Sequence, residues 1–441
     1  MLFDIRPRMK TINVGILGLG TVGAGTAETL LKQHDLIRDR SGIDVQLSRA
    51  ADLNLDRDFG VEFPEGVLTQ DARAVIQDPD IHIIVELIGG TGIAKTLILE
   101  ALEAGKAVVT ANKALLAEHG PELIAKAAEK GVDLFFEASV AGGIPIIKSL
   151  REGLVANPVN RICGILNGTC NYILTRMERE GVPFDEVLAE AQALGYAEAE
   201  PSLDVDGWDT AHKAVILAQL AFGLDVTLDE ITVKGIRGMD AVDVQAAADL
   251  GYRIKLLAIL EPEGRGIAIS VQPVLIPLDH MLASVDMSFN AVLVDGEVVD
   301  ETLYYGRGAG RLPTASAVVA DIVDAARDLS LEVSERIPLR WQPDPAPQLT
   351  PRGEVQERSY LRLHLKDEPG TLGQVTRILG EHGISITAVN QKEGLAKDGR
   401  VPVLFLTGKA PVAELEAALA EFAALDPEGT VPLRYRVEEL S

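Results

Sequence analysis

Cysteine is nearly absent from this 441-residue chain, which holds only Cys163 and Cys170. Two thiols cannot supply the disulfide framework of a small secreted domain, and their spacing is not that of a metal-ligand set. Buried thiols in a reducing compartment are therefore expected. Basic residues are in deficit, 41 against 66 acidic ones, giving a formal charge of -25. Such a field repels phosphate backbones and anionic lipid, which argues against nucleic-acid and membrane-surface partners. No apolar run approaches the length of a bilayer span. The basic start MLFDIRPRMK leads into the glycine-broken INVGILGLG and makes a poor signal peptide, so a cytoplasmic location is expected. Internal repeats are missing as well.

The chain has the composition of a soluble globular protein, 47% hydrophobic and 24% charged. Its length predicts two or three domains. From residue 12, the strand-like runs INVGIL, IDVQLSRA, IHIIVEL, KAVVTA and VDLFFEA alternate with amphipathic helical segments. That rhythm predicts an α/β, doubly wound parallel sheet over residues 1–150. Helical segments then dominate, followed by IAISVQPVLI and AVLVDGEVV, which predicts an inserted α+β domain over 151–305. The helical stretch TASAVVADIVDAARDL within 306–336 is expected to return to the first domain. Prolines 343, 345, 347 and 351 mark 337–357 as a linker. Residues 358–441 read strand, helix, strand, strand, helix, strand, a split βαβ, ferredoxin-like order.

Gly18-Leu-Gly-Thr-Val-Gly23 fits GxGxxG, and it stands after a strand and before a helix, as that motif requires. Gly18 permits the tight turn, Gly20 lets a pyrophosphate approach the backbone, and Gly23 allows helix and strand to pack closely. Asp52 lies later than the usual ribose-binding acid, and a surface role fits it equally. Arg49 and Arg57 are candidates for a 2′-phosphate, so NAD and NADP both remain open. Lys113 follows the strand KAVVTA and Glu137 follows VDLFF, both at strand carboxyl ends, where open sheets bind ligands. A solvated lysine at a helix start is the plain alternative for Lys113. Glu198, Glu200, Asp204, Asp206 and Asp209 crowd carboxylates into one short segment. Such a cluster binds a divalent metal, binds an ammonium group, or is a solvated loop, and the metal has no histidine or cysteine pattern behind it. Asp209 and Lys213 also stand four apart on an apolar helix, where an ordinary ion pair would explain them.

In chain order, GLGTVG, TANKALLA, EASVAGGIPII, GILNGTCNYIL, GYAEAEPSLDVDGWDTAHK and YGRGAGRLPTASAVVADI resemble the bacterial homoserine dehydrogenases. The tail KDEPGTLGQVTRILGEHGISI resembles an ACT domain, a small amino-acid-sensing module. The resemblance implies a Rossmann-type domain, a substrate and dimerisation domain and an ACT domain. It also implies reversible oxidation of L-homoserine to L-aspartate 4-semialdehyde with NAD or NADP, in a homodimer or homotetramer. By the same resemblance Lys213 exchanges the proton at the reacting oxygen, beside Lys113. Glu198, Asp209 and Asp204 hold the substrate, and Gly18, Gly20, Thr21, Val22, Gly23, Gly89, Lys113 and Gly308 meet the cofactor. Glu137, Val140, Gly142 and Ile144 fall where the family holds a monovalent cation, Na+ or K+. Threonine is the implied effector of the ACT domain, with Asp367, Gly370 and Thr371 at its strand-to-helix turn. Two features depart from the family pattern: Ala51 stands where many relatives carry arginine, and Cys170 replaces a usual threonine. The rival readings are another amino-acid dehydrogenase on the same fold and a silent amino-acid sensor.

Overall fold

The computed structural model describes residues 10–338, 343–391, 399–425 and 431–439. Residues 1–9 of the expected first domain, 339–342 of the linker, and 392–398, 426–430 and 440–441 of the C-terminal module lie outside the described residues. Contacts divide the chain into two compact units. The first comprises Met1–Val159, His212–Leu228 and Phe289–Ala346, and the second comprises Asn160–Ala211, Asp229–Ser288 and Pro347–Ser441.

The chain opens with β1 (Thr11–Leu17), α1 (Thr21–Lys32), α2 (His34–Ser41), β2 (Asp44–Ala51), β3 (Leu68–Thr69) and α3 (Ala72–Gln77). It continues with β4 (Ile83–Glu86), α4 (Ile93–Glu103), β5 (Ala107–Thr110), α5 (Lys113–Lys130), β6 (Leu134–Phe135) and α6 (Ile146–Lys148). These strands form one parallel sheet in the order β3-β2-β1-β4-β5-β6. Strands covered on both faces need continuous apolar runs, and Ile83, Ile84 and Val85 of β4 are fully buried. The strand order reverses between β1 and β4, and the turn after β1 carries the glycines, as in a Rossmann-type domain.

The next elements are β7 (Val159–Ile165), α7 (Gly168–Glu180), α8 (Phe184–Ala193), α9 (Ser202–Val205) and α10 (Trp208–Phe222). They are followed by β8 (Thr232–Val233), α11 (Ala241–Asp249), β9 (Tyr252–Glu263), β10 (Gly266–Pro277), β11 (Phe289–Gly296), β12 (Asp300–Arg307) and α12 (Arg311–Leu331). In the first unit, α12 packs on the Rossmann sheet. Val318 and Ile322 are fully buried in one cluster with Ile12, Val14 and Ile16 of β1. Truncating Ile322 to alanine would cost about 2–5 kcal/mol.

The C-terminal elements are β13 (Gln356–Lys366), α13 (Thr371–Glu381), β14 (Ile386–Gln391), β15 (Arg400–Thr407), β16 (Ala410–Pro411), α14 (Val412–Leu425) and β17 (Leu433–Val437). The strand order β17-β13-β15-β14 is ferredoxin-like, and Leu361, Ile378, Phe405 and Leu415 belong to a core of its own. The module is nonetheless more than an appended domain, because β17 runs parallel to β10 through Val274↔Arg436 and Leu275↔Val437. Joining two strand edges pairs amides and carbonyls that would otherwise remain open. Buried Arg436 crosses this seam between Glu261, Glu357 and Glu438. The Pro-rich linker also docks at its end: Ile267 N–H donates to Gln348 O at 2.8 Å, and Thr350 N–H donates to Ile267 O at 2.9 Å. No helix among the described residues is long and apolar enough to cross a membrane.

Candidate active site

In the first unit the glycine turn after β1 is tightly built. Gly18 adopts φ +92°, and a Cβ there would stand 2.8 Å from the Leu87 carbonyl group. A Cβ on Gly23 would meet Gly18 O at 2.0 Å, so α1 can start this close to the turn only with glycine at that position. Gly20 has no atom within 4 Å of such a Cβ, which leaves room for a ligand against the backbone. Thr21 and Val22 begin α1, whose first turn has no side-chain cap. Uncapped amides beside open space suit the pyrophosphate of a dinucleotide. Asp52 is committed to this turn: its carboxylate accepts Leu19 N–H at 2.8 Å and Asn54 N–H at 3.0 Å.

Glu86 organises the neighbouring strand ends. Fully buried at the end of β4, it accepts Ile88 N–H at 2.7 Å and Gly89 N–H at 3.2 Å, and the Thr110 hydroxyl donates to it at 2.7 Å. The same hydroxyl accepts Asn112 N–H at 3.0 Å. Asn112 caps α5 through Leu115 N–H at 3.2 Å and donates to Gly90 O at 2.7 Å. One buried carboxylate and one cap therefore fix both the Gly89 turn and the start of α5, where Lys113 is the first residue.

Glu137 is buried just beyond β6. Its carboxylate accepts Ile147 N–H at 2.9 Å and Lys148 N–H at 2.7 Å, while its own N–H donates to Asp321 of α12 at 2.7 Å. Burial pushes the Glu137 carboxyl up to about 7, and burial holds Asp321 well above the usual carboxylate range. Between Glu137 and α6 the chain turns through Ala141 and Gly142, with φ of +54° and +52°. Val140, Gly142 and Ile144 are buried there. A Cβ on Gly142 would stand 2.3 Å from Gly308 O, so Gly142 and Gly308 are brought together by close backbone packing.

In the second unit Asn167 gathers the acids. Its Oδ1 caps α7 by accepting Cys170 N–H at 2.8 Å, and its Nδ2 donates to Asp204 at 2.7 Å and to Asp209 at 2.9 Å. Thr169 donates to Tyr196 O at 2.7 Å, and the Cys170 thiol donates to Asp204 O at 3.2 Å. The thiol at position 170 thus still serves as a donor to the acidic segment. Asp209, in the first turn of α10, is buried, and Lys213, which lies further along the same helix and belongs to the first unit, is buried as well. Glu198 is exposed, and its backbone carbonyl accepts the Gln192 amide at 3.0 Å. Asp206 and Glu200 turn elsewhere: Asp206 pairs with Arg237 at 2.6 Å, and Glu200 accepts Ser202 N–H at 3.2 Å. Among the described residues no group of three or more histidines, cysteines and carboxylates is arranged to hold a metal ion. In the C-terminal module Gly370 (φ +94°) precedes α13, Thr371 opens the helix, and Asp367 N–H donates to Gly399 O at 3.1 Å.

The sequence reading missed Glu86, Asn112, Asn167 and Asp321 as organising residues. The asparagines did leave a signal, since each stands directly before a helix, where asparagine is a favoured cap.

Models of three known families match the chain: "Homoserine dehydrogenase, NAD binding domain" over residues 18–137, "Homoserine dehydrogenase" over 145–323 and "ACT domain" over 359–424. A homoserine dehydrogenase of Pseudomonas aeruginosa is 46% identical over 438 residues, covering 98% of this chain and 100% of the relative. One of Bacillus subtilis is 40% identical, covering 98% and 99%. The crystal structure of a homoserine dehydrogenase from Thiobacillus denitrificans aligns with a TM-score of 0.92 at 46% identity, covering 98% of this chain and 99% of that one. A hyperthermophilic archaeal homoserine dehydrogenase in complex with NADPH aligns with a TM-score of 0.61 at 29% identity, covering 72% and 98%.

Proposed function

The chain belongs to the homoserine dehydrogenase family of NAD(P)-dependent oxidoreductases, and from that premise we propose how its own residues carry the interconversion of L-homoserine and L-aspartate 4-semialdehyde. The observation that carries the assignment of roles is the Asn167 amide, which holds Asp204 and Asp209 together one helical turn before Lys213. Homoserine presents an ammonium group, and Asp204 and Asp209 receive it. Glu198 adds a third carboxylate from its exposed loop. Oxidation removes a proton from the substrate hydroxyl and a hydride from the carbon that bears it. Lys213 takes the proton in that direction and returns it in reduction, and Lys113 polarises the same oxygen. The nicotinamide, when bound, supplies the hydride acceptor. Gly18, Gly20, Thr21, Val22 and Gly23 hold its dinucleotide, with Gly89 and Gly308 as further contacts.

Glu137 and the backbone oxygens of Val140, Gly142 and Ile144 form an all-oxygen set suited to a hard cation such as Na+ or K+. The turn of Asp367, Gly370 and Thr371 receives threonine and makes the enzyme feedback-sensitive. The test is formation of reduced nicotinamide from L-homoserine with NAD and NADP in parallel, with and without Na+, K+ and threonine. Turnover limited to a different amino acid would refute the substrate assignment. Threonine inhibition unaltered in Asp367→Ala would move the effector elsewhere.

A further inference from the structure

Within the second unit a cavity of 310 Å³ opens between β8 and β10 on one side and β17 and α14 on the other, lined by Thr232, Lys234, Gln272, Arg352, Glu416 and Arg434. A narrower recess shares Thr232, Arg352 and Arg434 with it and reaches Ser270. The two guanidiniums have carboxylate partners: Arg352 pairs with Glu416, and Arg434 pairs with Glu357 at 2.6 Å. Lys234 is arranged differently. Its ammonium donates to Arg434 O at 2.8 Å and stands 5.0 Å from the centre of the Tyr435 ring. No salt bridge to it is formed among the described residues. An exposed lysine ordinarily moves out into water, away from neighbouring cations. Here a hydrogen bond and a ring hold it beside two guanidiniums, in a chain with 25 surplus negative charges. Desolvation, then Arg434 and Arg352, lower its pKa to about 8, against the opposing pull of Asp243.

The segment that carries Lys234 also touches the proposed substrate acids. Ile236 N–H donates to Val205 O at 2.7 Å, and a Cβ on Gly235 would meet that same oxygen at 1.9 Å. Arg237 pairs with Asp206 at 2.6 Å. Val205 and Asp206 lie between Asp204 and Asp209, so a shift of Lys234 has a short, packed route to both.

We propose that this cavity binds a small oxyanion, a carboxylate or a phosphate, on Lys234, and that occupancy is transmitted through residues 234–237 to Asp204 and Asp209. The site is separate from the β13–α13 turn and does not depend on threonine binding there. The coupling half rests on the substrate roles given above, whereas the binding half does not. The test is calorimetric titration of the full-length protein, saturated with NADPH, against inorganic phosphate and, separately, acetate. Wild type should bind one of the probes saturably, and the stronger probe identifies the ligand chemistry. Lys234→Met should weaken binding about tenfold or more, as expected for a lost charged hydrogen bond, and Lys234→Arg should retain it. The better probe should also change the homoserine KM of wild type but not of Lys234→Met. Absence of saturable binding by both probes, or equal binding in Lys234→Met, overturns the site. Binding without any change in KM overturns the coupling.

Discussion

Asn167 performs two tasks with two ends of one amide, and the tasks can be separated by substitution. Asn167→Ser and Asn167→Asp both keep a good helix cap at the start of α7, because serine and aspartate rank with asparagine there. Both remove the Nδ2 amide that holds Asp204 at 2.7 Å and Asp209 at 2.9 Å, and the single, shorter serine hydroxyl cannot donate to both. Serine does so without adding charge, and aspartate adds a third negative charge. Each hydrogen bond to a carboxylate is worth about 1.5–3 kcal/mol, so the pair sets a ceiling of roughly 3–6 kcal/mol. Asp204 is only half-buried, and water can replace part of its share. A loss of about 2–4 kcal/mol in transition-state stabilisation is therefore expected, a fall in kcat/KM for homoserine of roughly 30- to 1,000-fold. The melting temperature should barely move in Asn167→Ser. Asn167→Ala, which loses the cap as well, should cost a further ~1 kcal/mol of stability. The assay is steady-state formation of reduced nicotinamide, with thermal melts on the same samples. If Asn167→Ser stayed within threefold of wild type, or if all three variants lost activity only in proportion to their stability, the amide would be a cap and nothing more.

Lys213→Met should lower turnover about 10²–10⁴-fold while nucleotide binding, followed by fluorescence, survives; turnover near that of wild type would remove Lys213 from the proton step. Gly20→Ala places its Cβ in open space, so the fold should stand while the KM for the nucleotide rises. Gly23→Ala collides with Gly18 O and should lose both nucleotide binding and thermal stability; the reverse ranking of the two melts would contradict this geometry. Lys255 of β9 is almost fully buried, donates to Asn171 at 2.9 Å, and is pushed down to about 8, mainly by burial. Between about 8 and its unfolded value near 10.5 the unfolded chain binds the extra proton, so this group makes stability rise with pH across that window. The slope should flatten in Lys255→Met, as read by denaturant midpoints from pH 7 to 10.

The sequence revealed what periodicity and glycine chemistry can encode. β1, the GxGxxG turn and α1 follow from an apolar run that meets three glycines, and α12 reads as a helix from its own stretch of sequence. What stayed hidden depends on edges and on partners distant in sequence. The pairing of β17 with β10 has no local signature, since each strand reads as well at an open edge as in a joined sheet. Glu86 carries no local signal of its role, and only the fold shows that its carboxylate ties the Gly89 turn to Thr110 of the next strand. Asp321 is similar: its segment reads as an ordinary amphipathic helix, yet it receives an amide 184 positions earlier in the chain. The acidic cluster was the hardest part to read, because composition treated its carboxylates as equivalents. The structure separates them by partner: Asn167 selects Asp204 and Asp209, Arg237 holds Asp206, and Glu200 is spent on Ser202. That sorting makes the acids a testable set. Asp206→Asn should disturb the Arg237 contact and the path from Lys234 while leaving the Asn167 clamp intact. Asp209→Asn, by contrast, should act on homoserine directly. A kinetic difference between those two variants would locate substrate recognition at the clamp, and equal losses would mean that the segment acts only as a block of charge.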